Sequence, residues 1–161
     1  HIFRIVPGLL SKFTPQDLTN TLWGLARKYP HDAKGGGKGG TTKKKIENLA
    51  YKIIEQCQAK MNLLTAQCLS NSLWAAARLH LNVDAFVSQS LNVLVSTRQL
   101  GVFTPQGLAN VLWAVAELGS GAGVENRTAL QQQLCVAVAV SAMPRLAEFQ
   151  PQELSMLSWA M

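Results

Sequence analysis

In "FTPQDLTNTLWGLA", residues 13 to 26, Leu18, Leu22 and Leu25 are spaced by four and three, which stacks them on one face of a helix with polar residues around them. The phrase returns. Read from four residues earlier, it runs "LSKFTPQDLTNTLWGLA" at 10–26, "MNLLTAQCLSNSLWAAA" at 61–77, "LGVFTPQGLANVLWAVA" at 100–116 and "LAEFQPQELSMLSWAM" at 146–161. Between the phrases lie three further amphipathic stretches, 45–60, 84–98 and 128–143. The last contains an alternating VAVAV that has the rhythm of a strand, but its place in the repeat and its many alanines predict helix.

The tryptophans Trp23, Trp74, Trp113 and Trp159 mark the period, with gaps of 51, 39 and 46 residues. The shortest gap is the expected unit, of about 38 or 39 residues. The two excesses fall at one point of the unit, in the glycine-rich segments 31–45 and 119–126, which are expected to be flexible insertions. Each phrase also has the grammar of a helix start. Thr14 is placed to cap the helix, Pro15 suits its first position, and Asp17 stands where a capping box needs an acceptor. Thr104 and Pro105 repeat this, whereas Ala66 replaces the proline and Gln150 the threonine, so those two helices are expected to start less sharply. Helical hairpins of this size cannot bury their apolar faces alone, and the chain is predicted to be all-α, an α-solenoid of stacked hairpins.

The phrase Phe103 to Ala116, "FTPQGLANVLWAVA", resembles the signature of the octotricopeptide repeat, a helical-hairpin unit of organelle proteins in green algae. The other copies depart at Leu64, Ala66 and Met156. The resemblance covers essentially the whole chain apart from the glycine-rich segments. It implies a factor of the chloroplast stroma or mitochondrial matrix that binds single-stranded organellar RNA, mRNA or rRNA, and acts in transcript stabilisation, processing, translation or ribosome assembly. FAST-kinase-like proteins with RAP domains are related, but no RAP-like segment is visible. The chain begins at His1 and stops inside the fourth phrase, so it is expected to be a segment of a longer protein, with any targeting peptide outside it.

On a helical wheel, Leu22 and Leu25 fall within about 40° of Leu18, at about 100° per residue. Gln16, Asn20, Trp23 and Arg27 gather on nearly the opposite side, repeated as Gln67, Asn71, Trp74 and Arg78, then as Gln106, Asn110, Trp113 and Glu117. Two readings compete for this stripe. Its amides and guanidiniums can face single-stranded RNA. Alternatively, the tryptophans pack between hairpins while Gln and Asn satisfy backbone groups. Residues that read different bases should vary between units; Gln and Trp do not, which favours packing for Trp, whereas the Arg27, Arg78, Glu117 position does. Arg27 and Arg78 are therefore the leading RNA-binding candidates, followed by Asn20, Asn71, Asn110 and Lys28. The small residues Gly24, Ala75, Ala114 and Ala160 are read as sites of close helix approach.

Charge supports the same partner. Fifteen basic against nine acidic residues give a net charge of +6, which favours an anionic ligand. The segment "AKGGGKGGTTKKK" fails the spacing of a phosphate-binding loop, but Lys43, Lys44 and Lys45 are expected to add phosphate contacts without sequence choice. No apolar run approaches the roughly 18 to 20 residues of a membrane span, so no membrane insertion is expected. Cys57, Cys68 and Cys135 lack metal-ligand or disulfide spacing and read as reduced, buried thiols. His1, His31 and His80 pair with no ligand or nucleophile, and the carboxylates are scattered. No enzyme, cofactor or metal site is expected. The alternative function is a protein-interaction scaffold within a ribonucleoprotein assembly, for which an apolar groove is expected rather than a basic one.

Overall fold

A computed structural model describes residues 3, 6–29, 39–97, 99–119 and 125–161. Among them are seven α-helices and no strand. In chain order these are α1 (Pro15–Lys28), α2 (Gly39–Ala59), α3 (Ala66–Arg78), α4 (Asp84–Thr97), α5 (Pro105–Gly119), α6 (Glu125–Ala142) and α7 (Pro151–Ala160). The VAVAV run lies inside α6 and is helical, as its place in the repeat predicts.

All four phrase helices, α1, α3, α5 and α7, begin at the same point of the phrase. Thr14 accepts from the Asp17 amide at 3.2 Å while Asp17 Oδ2 accepts from the Thr14 amide at 3.0 Å, the reciprocal box the sequence suggests. Thr65 and Thr104 cap alone, accepting from the amides of Cys68 and Gly107 at 3.2 and 3.0 Å. At α7 the Glu153 carboxylate accepts from the Gln150 amide at 2.8 Å. The helices starting at Ala66 and Pro151 thus each keep one of the two box bonds that α1 has, the threonine cap at Thr65 and the Glu153 acceptor at Gln150. At its other end α3 closes by carrying His80 at φ 50°, where the His80 and Leu81 amides donate to the Ala77 and Ala76 carbonyls, both at 3.0 Å.

The phrase helices pack on one another in chain order, α1 on α3, α3 on α5 and α5 on α7. Helices α2, α4 and α6 lie against them or against each other, with α2 on α1, α4 between α2 and α6, and α6 on α5. The leucines spaced by four and three are the core, with Leu18, Leu22, Leu73, Leu108 and Leu112 buried. Small residues occupy the flanks where phrase helices meet: Thr19, Ser70, Ser72, Ala75, Ala109 and Ala114 are buried. Gly24 differs from Ala75 and Ala114, since a Cβ there would meet nothing within 4 Å. The close approach expected at that position therefore holds on α3 and α5 and not on α1. Gly119, by contrast, lies under the Gln131 side chain, whose Nε2 donates to the Val115 carbonyl at 3.2 Å, and any Cβ there would collide with that amide.

A fastening not legible in the phrase joins units far apart in sequence. Lys60 Nζ donates to the carbonyls of Phe13 at 2.6 Å and Ser11 at 3.5 Å. Arg145 does the same to Phe103 at 2.6 Å and Gly101 at 3.4 Å. Both cations stand one residue before a phrase and reach back to the turn that precedes an earlier phrase helix.

Candidate nucleic-acid interface

The polar stripe of the phrase helices faces outward, opposite the buried leucines. Near the carboxyl ends of these helices a depression of about 330 Å³ is lined by Ala26, Arg27, Trp74, Arg78, Trp113 and Met156, so that α1, α3, α5 and α7 all contribute. Arg27 lies over the Trp23 ring with Cζ 5.1 Å from the centroid. At an exposed site such a contact is worth about 0.5–1 kcal/mol. Trp23 is 37% and Trp159 62% exposed, while Trp74 and Trp113 are half-buried. The packing of tryptophan between hairpins expected from its constancy is therefore not met at Trp23 and Trp159; the ring lies on the outer stripe, which the helix repeat places away from the leucine core.

Toward the amino ends of α3 and α5 lies a second depression, of about 220 Å³, whose lining includes Gln67, Asn71, Gln106 and Asn110. On α1 the corresponding amides are tied together. Gln16 Nε2 donates to Asn20 Oδ1 at 2.9 Å, and the Cys68 thiol donates to Gln16 Oε1 at 3.4 Å.

The candidate residues divide. Arg27 and Arg78 share the larger depression, Asn71 and Asn110 the smaller, and Asn20 is exposed on α1 beside Gln16. Lys28 sits over the Tyr29 ring at 5.6 Å and lines neither depression. Lys43, Lys44 and Lys45 belong to the first turns of α2, which begins at Gly39, and not to a loop; Lys43 Nζ lies 3.9 Å from Glu47 Oε1, one turn on. The rest of the first glycine-rich segment, 31–38, and residues 120–124 of the second lie outside the described residues. Helix α5 carries Glu117 where α1 and α3 carry arginine, so positive charge is concentrated at the α1–α3 end of the larger depression.

Burial pushes the Cys57 thiol up to about 11, with Cys68 and Cys57 both buried and Cys135 half-buried, and all three are free. Among the described residues no group of histidine, cysteine and carboxylate side chains is placed to hold a metal ion, and no helix is long and apolar enough to cross a membrane. Compared with protein-family models, with curated proteins and with solved structures, the chain matches none.

Proposed function

We propose that the protein is an RNA-binding helical-repeat module, an α-solenoid of octotricopeptide type, belonging to a factor of organellar gene expression. The observation that carries this reading is the larger depression, in which Arg27 and Arg78 stand beside Trp74 and Trp113 across consecutive repeats. Aromatic planes stack on unpaired bases, and guanidiniums pair with phosphates or stack in turn. A duplex keeps its bases stacked inside, so such a surface favours single strands. The module works by occupation in this reading: it covers a stretch of transcript against nucleases or competing structure, or presents it to other factors. It carries no chemistry of its own.

The test is a titration of the chain with single-stranded RNA, duplex RNA and single-stranded DNA over a range of salt. Affinity should be highest for single-stranded RNA and fall with salt. Each phosphate paired by an arginine contributes about 0.7 to the slope of log affinity on log salt. The double change Arg27→Glu with Arg78→Glu should abolish binding, and no binding by the unaltered chain at low salt would remove the reading. A second reading, a protein-interaction scaffold, is favoured by a separate observation: Val136, Val140 and Met143 on one side of α6 and its end are each more than 60% exposed. That row suits a protein partner and predicts a chain indifferent to RNA.

A further inference from the structure

The two amide clusters are built from the same letters and differ in one neighbour. At the third position of α3 stands Cys68, whose thiol donates to Gln16 on α1 and so turns the Gln16 amide nitrogen toward Asn20. At the third position of α5 stands Gly107, which has no side chain to offer Gln67. The side-chain amides of Gln67, Asn71, Gln106 and Asn110 accordingly have no hydrogen-bond partner among the described residues, and they converge on one depression. The neighbouring hydroxyls are occupied, with Ser70 donating to the Gln67 carbonyl at 3.1 Å and Thr104 accepting from Gly107 at 3.0 Å. None of the lining residues is ionisable. A phosphate would find no countercharge there, whereas a neutral edge of donors and acceptors would find both kinds of partner in the amides.

We infer that the depression between α3 and α5 holds the hydrogen-bonding edge of one unpaired RNA base, and that the junction between α1 and α3, where Gln16 and Asn20 of α1 are tied to each other, reads none. This rests on the RNA-binding reading above and adds to it a place where sequence is discriminated. The larger depression supplies stacking and charge, which are tolerant of sequence. The smaller supplies choice.

The experiment measures the affinity of the whole chain for equal-length oligo(A), oligo(C), oligo(U) and a mixed-sequence RNA. It repeats the series with Gly107→Cys and with Gln67→Ala plus Asn110→Ala. The cysteine at 107 recreates the thiol that closes the first junction; a Cβ there stands 3.3 Å from Thr104 Oγ1 and 3.4 Å from the Phe103 ring, tight but in reach of a small adjustment. The alanine pair removes amides at outward-facing positions and serves where the cysteine variant is poorly folded. A bidentate amide contact discriminates between bases by roughly tenfold or more, and this spread should be lost in the variants while the mixed-sequence salt slope stays as it was. Equal affinities in the unaltered chain, or a spread that survives both variants, would overturn the inference and leave RNA binding standing. Failure of every RNA to bind at low salt would overturn the RNA reading, and the inference with it.

Discussion

The α1–α3 and α3–α5 junctions share a phrase and differ in surface. In the first, Cys68 engages Gln16, the two amides of α1 are tied together, and Arg27 and Arg78 come one from each helix. In the second, Gly107 leaves the amides facing solvent, and Arg78 is followed by Glu117. Yet the buried flanks of the two junctions are alike, with Thr19 and Ala75 at one and Ser70 and Ala114 at the other. Stacking and surface are thus specified separately: small residues on the flanks set the first, and the third and last-turn positions of each helix set the second.

The largest blow to this parallel comes from filling a flank. Ala114→Leu forces a branched side chain into the α3–α5 contact, where Ala114 is wholly buried, and should cost about 1–3 kcal/mol in chemical denaturation. Gly24→Ala on the open flank of α1 should instead stabilise by about 0.8–1 kcal/mol, the ordinary helix preference for alanine over glycine. Next in size are the fastenings. Arg145→Met strips charged donors from the Phe103 and Gly101 carbonyls and should cost about 1–2 kcal/mol, with Lys60→Met showing a similar loss at Phe13. The smallest effect separates the two helix starts by pH. Thr14→Ala and Thr104→Ala should each cost about 1 kcal/mol near neutrality. The hydrogen bonds from Thr14 hold the Asp17 carboxyl below the usual carboxylate range, so its ionised form supports the fold above that range and the support is lost as pH falls through its folded value. The cost of Thr14→Ala should therefore shrink in acid, while that of Thr104→Ala, whose partner is the Gly107 amide, should not.

Much of the architecture was legible because the relevant signals are local. Threonine before proline marks where α1 and α5 begin, and leucines spaced by four and three mark the face that is buried. The outward stripe followed from the same wheel, and with it the placement of Arg27 and Arg78. The tryptophans were harder, since constancy between units suits a packed ring and an outward ring equally, and it argued for packing at Trp23 and Trp159, which are exposed. The start of α2 was masked by composition: glycine and lysine read as loop, yet the chain is helical from Gly39. The difference between the amide clusters lies in a thiol donor, which no pattern of hydrophobic and polar positions registers. The fastenings were invisible for another reason. Lys60 and Arg145 stand just outside the phrase, differ from each other in residue type, and align with Leu9 and Gln99 in the other units.

Those two cations also bear on how such an array can diverge after duplication. Their acceptors are the carbonyls of Ser11, Phe13, Gly101 and Phe103, groups that every residue possesses. The gripped turns can therefore drift in sequence with no matching change in the residue that grips them. One long basic side chain before a phrase thus moors its unit to an older one whatever side chains the gripped turn carries.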